Sequence, residues 1–486
     1  MTRRTQFRLL VAFTIVWVVW AVWALLGQTH PFELRVLDDV GVPIPAAVVD
    51  VNGSQVGTTG DDGRVEIVWN RSTRLLEVSA PGHIPQRLTL ADPPEDELGV
   101  VLKARVLRGR VVDTEGDGVE GAVVRAGAGQ ATSDAEGYFQ IRGAEEGNVE
   151  VTRPAWVSTD FTWDGGTGDE IVEVEPFTAR AVHIDGPSMR DEFDRFVDMA
   201  VDTELNALMI DLKDETGEVW YDTENPTAVE IGADTAAYDL EATVSRAHDL
   251  GLYVIGRIVL FNDPIAAVHK PEMAVWDAEL DAPYEARGQI FLDPTDPQAR
   301  QYGLELAVEA CGSGIDEIQF DYVRFPDARR DSATFDGGVS PEVRVDTIGS
   351  FLAEAAQTLR PMGCAVAADI FGYLTTAQDD GGIGQLWEDV AATVDVISPM
   401  LYPSHFHPEF FGFPSDQQPG RVVEEALTKG MERLTEKVVV RPWLQDFGYD
   451  ESLVREQIAA AESFGLGWML WNAESRVTVG ALRPAE

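Results

Sequence analysis

Charged and polar side chains come late in several segments of this chain that are otherwise apolar. The pattern is informative because a charged group is costly to bury unless another group pairs with it. A strand that leaves a core for a loop also turns polar, and this simpler explanation accounts for Asp446 or Asn472. It explains poorly the charged residues late in four neighbouring segments, so we interpret the set as a candidate site. Its members are Asp211, Lys213, Arg257, Asp321, Tyr322, Arg324, Asp369, Tyr402, His405, Gln445, Trp471 and Asn472.

Asp321 and Asp369 are the two carboxylates with the clearest chemical use. If their segments form neighbouring strands, the two backbones lie about 4.8 Å apart. Carboxyl groups that close suit glycosidic bond cleavage, with one as general acid and the other as nucleophile or base. Their mutual repulsion keeps one of them protonated near neutral pH. Lys213 and Arg257 are expected to keep the other one ionised.

Lys213 also allows a different enzyme chemistry, since a lysine can form a Schiff base with a carbonyl substrate. The alternation of side chains along a strand places Lys213 on the same face as Asp211. We therefore expect Lys213 to be the ion-pair partner of Asp211, with the Schiff-base role as the weaker alternative.

Aromatic and histidine side chains accompany the carboxylates. Four aromatic residues offer faces of the kind that stack on sugar rings: Tyr402, Trp443, Trp468 and Trp471. A single tryptophan is more often part of a core, however. His405 and His407 form an H-x-H pair, but two histidines without a third ligand are weak support for a metal. We expect His405 to contact a loop or the substrate, and we expect no metal or cofactor.

The elements that must position these residues begin at about residue 178. Apolar, β-branched runs alternate there with amphipathic stretches such as 189–204, 236–251 and 453–465. Eight such units in about 310 residues predict a (β/α)₈ TIM barrel, whose catalytic groups lie at the C-terminal ends of the strands. A doubly wound open sheet is the alternative, but no glycine-rich phosphate loop follows the first run. The runs are Arg180–Ile184, Ala207–Lys213, Tyr253–Phe261, Ile315–Phe325, Cys364–Phe371, Val394–Tyr402, Val438–Leu444 and Leu466–Trp471.

The first 30 residues predict a membrane anchor. Residues 1–8 contain Arg3, Arg4 and Arg8, and the following apolar segment, 9–27, is long enough to cross a bilayer. The basic residues before it predict a single-pass membrane protein with a short cytoplasmic N-terminus. The rest of the chain would then lie outside the cytoplasm. A cleaved signal peptide is the alternative, and it would make the protein secreted.

A weak internal repeat follows, in residues 33–68 and 109–141. Each copy alternates short strands with glycine-rich turns, which predicts two small β-sandwich modules, 31–103 and 104–177. Both copies resemble the carboxypeptidase regulatory-like, or transthyretin-like, domain in the pattern V-x-D-x-x-G-x-P/E-x-x-A-x-V and a later D-x-x-G turn. The resemblance implies a stalk, with weak glycan binding as the alternative.

Composition sets limits on the possible partners. The chain has 486 residues, a formal net charge of −46 and 45% hydrophobic residues. The hydrophobic content excludes global disorder, and the length suggests more than one domain. The acidity argues against a nucleic acid as partner, because phosphate binding needs a basic surface. The oligomeric state stays open.

Several segments of the barrel region resemble the bacterial putative glycosyl hydrolase family, whose barrel is distantly similar to alpha-amylase-type glycosidases. They are NALMIDLKDETGEVWYDT (206–223), LDPTDPQARQY (292–302), GIDEIQFDYVRFP (314–326), ADIFG (368–372) and ISPMLYPSHF (397–406). The resemblance covers essentially all of 178–486. It implies a nucleophilic Asp321 at the end of strand four and an acid/base Asp369 at the end of strand five. Amylase-type enzymes usually carry glutamate at the second position.

Two functions of different classes follow from these observations. The first is a membrane-tethered glycoside hydrolase that acts on a cell-wall or extracellular polysaccharide. The second is a non-catalytic barrel that binds glycan or organises the envelope.

Cys311 and Cys364 are the only two cysteines. One lies just before predicted strand four and the other opens predicted strand five, both at the bottom of the barrel and away from the candidate site. Neighbouring strands allow the Cα separation that a disulfide needs, and an oxidising compartment would preserve the bond. Two buried free thiols are the alternative.

Overall fold

The computed structural model describes residues 17–18, 29–70, 72–327, 329–435 and 437–485. The chain forms two compact units. One extends to Arg153 and includes Ser158–Glu175, and the other comprises Pro154–Val157 and Pro176–Glu486. The predicted anchor, 9–27, lies outside the described residues except for positions 17 and 18. Within the described ranges, no helix has the length and apolarity that a membrane crossing requires.

The first unit contains a pair of four-stranded sheets that share one apolar core, which includes Leu34, Val49 and Val78. Burial alternates along its strands, as in Leu34 and Val36, because alternate side chains of a strand point to opposite faces. In spatial order, the strands of one sheet are Arg64–Trp69, His30–Asp38, Glu97–Ala104 and His83–Ile84. Those of the other are Ser54–Thr58, Val48–Val51, Leu75–Ser79 and Gln86–Thr89.

The second pair of sheets in this unit repeats the strand order of the first pair. In both pairs the first strand lies between an antiparallel neighbour and a parallel neighbour that comes last in the module. The three-stranded sheet consists of Tyr138–Arg142, Val106–Val112 and Asp169–Glu173. The four-stranded sheet consists of Gly129–Thr132, Val123–Ala126, Gly147–Thr152 and Thr159–Trp163.

The internal repeat extends to individual hydrogen bonds. The buried Thr59 hydroxyl donates to the Ile44 carbonyl and accepts from the Ala47 amide, at 2.7 and 2.8 Å. The buried Ser133 hydroxyl makes the same two bonds in the second copy, to Val119 and Ala122. A hydroxyl residue is required at this position because it satisfies two buried backbone groups that the sheets leave unpaired.

The second unit is a closed barrel of eight parallel strands, which confirms the predicted barrel. Hydrogen bonds connect each strand to the next, and strand 1 pairs with both strand 2 and strand 8. We number the barrel strands 1 to 8 in chain order. They are Arg180–Ile184, Ala207–Lys213, Tyr253–Val259, Glu317–Asp321, Ala365–Phe371, Val396–Leu401, the pair of short segments Val439–Val440 and Trp443–Gln445, and Trp468–Trp471.

Nine α-helices accompany these strands in the described part of the second unit. Side chains accept hydrogen bonds from the first turn of most of them, and the capping residue is most often aspartate. The predicted helix 236–251 begins only at Leu240, because Asp239 caps it by accepting from the Ala242 amide. The helices are Gly186–Asp202, Pro226–Ile231, Leu240–His248, Pro264–His269, Pro297–Gly312, Pro341–Leu359, Trp387–Ala391, Pro419–Met431 and Glu451–Glu462.

Barrel strand 2 contains an irregularity that decides the direction of two charged side chains. Asp211 pairs with Arg257 of strand 3, whereas Lys213 pairs with the next residue, Ile258, so the register shifts between them. The Lys213 ammonium lies 3.0 Å from the Asp263 carboxylate and donates to the Val259 carbonyl. The predicted Lys213–Asp211 ion pair is therefore wrong, because the bulge interrupts the strict alternation on which it was based.

A disulfide joins Cys311 to Cys364 at the bottom of the barrel. Cys311 lies near the end of the helix Pro297–Gly312, Cys364 immediately precedes strand 5, and their Cα atoms are 5.9 Å apart. Both residues are buried. The bond connects the segments that lead into strands 4 and 5, at the end of the barrel opposite the candidate site.

Loss of this disulfide should destabilise the protein by about 4 kcal/mol, because the bond closes a loop of 53 residues that the unfolded chain would otherwise leave open. Urea denaturation of the Cys311→Ser/Cys364→Ser variant and of the reduced wild type should give the same lowered stability. The variant should not respond to reductant. Mass spectrometry that finds two alkylated thiols in non-reduced protein recovered from an oxidising compartment would contradict the bond.

Candidate active site

Arg257 lies at the centre of the polar residues in the barrel mouth. Its fully buried guanidinium contacts carboxylates from three elements. Nη1 lies 2.9 Å from Asp211 Oδ1, Nε lies 3.0 Å from Asp321 Oδ2, and Nη2 also contacts Asp321 and Glu215. Burial opposes the charged guanidinium, but the three carboxylates outweigh it and raise the pKa of Arg257. Arg257 therefore stays positively charged and fixes the positions of all three acids.

His183 and Trp471 support this arrangement from strands 1 and 8. The buried His183 ring is hydrogen-bonded to Asp211 at 3.0 Å and to the Asn472 carbonyl at 2.9 Å. It stacks on Trp471 with ring centroids 4.1 Å apart, and the Arg257 guanidinium lies 4.7 Å from the same tryptophan ring. Burial opposes the imidazolium, but Asp211 outweighs it and raises the pKa of His183.

Asp369, at strand 5, is buried next to the site, and none of the residues that the structure describes forms a salt bridge with it. Its Oδ1 accepts hydrogen bonds from Trp443 Nε1 and Gln319 Nε2. Burial, followed by the negative charge of Asp321, raises the pKa of Asp369 well above its usual range. Because both donors contact Oδ1, Oδ2 is the oxygen left to carry the proton.

Tyr322, directly after Asp321, has an unusual backbone conformation. Its φ of +50° lies in the left-handed region, which a bulky residue rarely adopts. The Tyr322 amide donates to Asp321 Oδ1 at 2.6 Å, and the hydroxyl accepts from Gln289 at 3.0 Å. Burial, together with the charge of Asp321, raises the pKa of Tyr322 to about 12. The strained turn fixes the Asp321 carboxylate and directs a protonated phenol into the mouth.

These residues surround a cavity of about 680 Å³ at the C-terminal ends of the strands. Its volume lies within the range of ligand sites, roughly 300–1,000 Å³. The loop after strand 6 contributes His405, Phe406 and Phe410 to one wall. Burial lowers the pKa of His405, which favours the neutral imidazole. The mouth thus combines carboxyl groups with aromatic faces.

The structure brings seven of the predicted site residues into the cavity wall: Asp321, Asp369, Tyr322, Arg324, Tyr402, His405 and Trp471. Asp211 and Arg257 lie directly behind that wall. Gln445 instead joins two loops, since its side chain accepts from the Ser404 amide and donates to the Phe447 carbonyl. Asn472 donates to the Asp446 carbonyl, and Lys213 is directed toward Asp263.

Four residues of the site have a role that sequence reasoning did not assign. His183 is the polar residue within an otherwise apolar stretch of strand 1, and this contrast was the signal in the sequence that could have identified it. Glu215 follows strand 2 in a turn that contains Gly217, and its acidic side chain reaches Arg257. Gln319 and Trp443 donate hydrogen bonds to Asp369. Trp468, by contrast, was predicted to stack on a sugar ring, but its side chain is fully buried. Within the described ranges, no cluster of three or more histidine, cysteine, aspartate or glutamate residues could hold a metal ion.

Comparison with known proteins assigns the family. The family model of the putative glycosyl hydrolase domain matches residues 181–477. The matched range includes all eight barrel strands except the first residue of strand 1. The chain belongs to this family. The match confirms the resemblance found in the sequence, and no curated protein matches the chain.

Three similar solved structures have different degrees of identity. A hypothetical protein from Ruminiclostridium thermocellum is 35% identical, with 39% of this chain and 96% of that chain covered and a TM-score of 0.36. The glycoside hydrolase domain of PgaB (BpsB) from Bordetella bronchiseptica is 13% identical, covers 62% and 95%, and has a TM-score of 0.44. The glycoside hydrolase domain of PelA from Pseudomonas aeruginosa is 10% identical, covers 61% and 95%, and has a TM-score of 0.38.

The Asp369→Asn variant tests whether Asp369 is protonated in the folded protein. The folded-state pKa is raised, so above about pH 4 the unfolded wild type releases a proton that the folded wild type keeps. The stability of the wild type should therefore fall relative to the variant as pH rises, by about 1.4 kcal/mol per pH unit up to the folded-state pKa. Urea denaturation of both proteins at pH 5, 6 and 7 measures this difference. A difference that does not change with pH would contradict a neutral Asp369.

Proposed function

We propose that the barrel hydrolyses a glycosidic bond of a polysaccharide by a two-carboxylate mechanism. The observation that carries this proposal is that two carboxyl groups in one cavity have opposite environments. Asp321 is paired with the guanidinium of Arg257, whereas Asp369 is buried, forms no salt bridge with any described residue and has a raised pKa. A glycosidase needs this division, with one carboxylic acid to donate a proton and one carboxylate to stabilise positive charge.

In the proposed reaction, Asp369 is the general acid. Its Oδ2 donates the proton to the glycosidic oxygen as the bond to the leaving sugar breaks. The hydrogen bonds from Trp443 and Gln319 to Oδ1 then stabilise the carboxylate that remains. These donors keep the acid oriented before the reaction and lower the energetic cost of its ionisation afterwards.

Asp321 is the proposed partner of the sugar ring itself. It either attacks the anomeric carbon, forming a glycosyl ester that water then hydrolyses as Asp369 takes the proton of that water, or it stabilises the positive charge that develops there while water attacks the anomeric carbon and loses a proton to a carboxylate of the site. The Tyr322 amide and the Arg257 guanidinium hold its two oxygens in place. Tyr402 and Trp471, which line the same cavity, support the proposal because aromatic faces are suited to sugar rings.

We also infer that the protein acts outside the cytoplasm on a cell-wall or extracellular polysaccharide. The apolar segment 9–27 and the arginines that precede it support export and attachment to the membrane. The disulfide between Cys311 and Cys364 supports the same compartment, since such bonds persist mainly in oxidising environments. Fractionation of cells that produce the full chain, followed by protease treatment from outside, tests both inferences.

The Asp321→Asn variant should lose hydrolytic activity by at least about 10³-fold while keeping the fold, because the amide cannot stabilise positive charge or form the covalent bond. Asp446→Asn is a matched control, since Asp446 directly follows barrel strand 7 but its Oδ2 accepts from the Thr478 amide outside the cavity wall. The measurement is release of reducing ends from a polysaccharide panel, with circular dichroism to check folding.

A wild-type rate of hydrolysis by the Asp321→Asn variant would contradict the assignment of Asp321. Glycan affinity without any sugar release by the wild type would favour a non-catalytic barrel.

The Asp369→Asn variant should distinguish the acid from the other carboxylate by its dependence on the leaving group. On a polysaccharide, whose leaving sugar needs protonation, we expect a loss of about 10²–10⁴-fold. On an activated aryl glycoside of the same sugar the loss should be much smaller, because a phenolate leaves without a proton. Equal losses on both substrates would show that Asp369 is not the general acid.

A further inference from the structure

Arg324 is a buried arginine of the barrel mouth, and among the described residues it has no carboxylate at hydrogen-bond distance. Other buried arginines have carboxylates at hydrogen-bond distance: Arg257 has three, Arg344 binds both oxygens of Asp380 at 2.7 and 2.9 Å, and Arg441 lies 2.6 Å from Glu317. Within the described ranges, the carboxylate oxygen nearest to the Arg324 guanidinium is that of Asp327, at 4.0 Å. The Arg324 side chain is 6% exposed.

Asp327 is itself engaged by another arginine. Its Oδ2 lies 3.0 Å from the guanidinium of Arg287, whose side chain is largely exposed at the cavity rim. Arg287 therefore neutralises Asp327 more closely than Arg324 does. The charge of Arg324 is therefore available to pair with a negatively charged group of a ligand that enters the cavity.

Three aromatic rings lie close to the Arg324 guanidinium, and two of them, those of Tyr322 and Phe371, also line the cavity. The centroids of Phe291, Tyr322 and Phe371 lie 5.2, 4.8 and 4.8 Å from it. Nη1 donates to the Phe325 carbonyl at 3.1 Å. Aromatic faces attract a cation but do not neutralise it, and burial lowers the pKa of Arg324. A planar guanidinium held in this way presents its remaining donors in a fixed orientation.

We infer that Arg324 binds a carboxylate of the substrate, so that the polysaccharide carries uronate-type acidic sugars. This inference rests on the proposed function, because it assigns a substrate class to the same cavity. Arg324 lines that cavity together with Asp321 and Asp369, and the guanidinium fork matches the geometry of a carboxylate. The net charge of −46 disfavours non-specific attraction of a polyanion. Recognition of an acidic sugar therefore depends on a local cation.

Binding of matched oligosaccharides to the full-length chain tests the inference. The probes are oligogalacturonates, oligoglucuronates and alginate oligomers, each compared with its fully methyl-esterified form, and a sulfated carrageenan oligomer represents the other source of negative charge. Isothermal titration calorimetry is carried out on the Asp321→Asn chain, so that no probe is cleaved. At least one acidic probe should bind about 10–100-fold more tightly than its ester, the range expected for a hydrogen bond to a charged group.

Substitutions identify the residue responsible. Arg324→Gln should remove the preference for the acid, and Arg324→Lys should keep part of it. Arg330→Gln is the matched control, because Arg330 also lies over an aromatic ring, that of Tyr284, but pairs with Asp277 at 2.9 Å. This variant should keep the preference. If Arg324→Gln does not fold, the comparison of acid with ester and the Arg324→Lys variant still decide the question.

Three results would overturn the inference: equal affinity for acid and ester, a preference that survives in Arg324→Gln, or no binding of any carboxylated probe. Tighter binding of the carrageenan oligomer than of all uronates would also overturn the assignment of a carboxylate. Hydrolysis tells the two proposals apart. A preference for uronates without sugar release from any polysaccharide by the wild type removes the proposed function alone, and release from neutral polysaccharides without an acid preference removes this inference alone.

Discussion

The barrel mouth depends on the buried charge of Arg257. Its guanidinium, on strand 3, contacts acids on strand 2, on the turn that follows strand 2 and on strand 4, so one side chain holds together neighbouring elements of the barrel mouth. Removal of such a partner leaves buried carboxylates unpaired, which typically costs about 3–5 kcal/mol. The positions of Asp211, Glu215 and Asp321 depend on this centre, because each of them contacts the guanidinium directly.

The two carboxyl groups of the mouth also differ in their relation to Arg257. The guanidinium contacts Asp321 directly, while Asp369 receives hydrogen bonds from the neutral side chains of Trp443 and Gln319. Burial, followed by the negative charge of Asp321, raises the pKa of Asp369. The two aspartates therefore have different surroundings although their chemistry is identical, because Asp321 contacts the guanidinium and Asp369 is buried beside two neutral donors.

The sequence predicted the barrel well because strand periodicity and helix alternation are local properties. All eight predicted runs contain or overlap an observed strand, and Asp321 and Asp369 lie in one cavity as expected. The failures come from interactions that periodicity does not describe. The bulge in strand 2 turned Lys213 away from Asp211, and Gln445 was used to join loops. Glu215 was missed because it lies in a turn. Side chains of a turn do not alternate regularly between two faces, so the sequence does not show where they point.

The disulfide has a geometric consequence for the cavity at the other end of the barrel. Cys311 and Cys364 precede strands 4 and 5, and Asp321 and Asp369 lie at or near the ends of the same two strands. Parallel strands can in principle slide past one another, and a slip of one residue would move one carboxyl group by about 3.3 Å relative to the other. The covalent link at the base opposes that movement. It therefore acts as a mechanical stop that preserves the spacing between two side chains with which it has no contact.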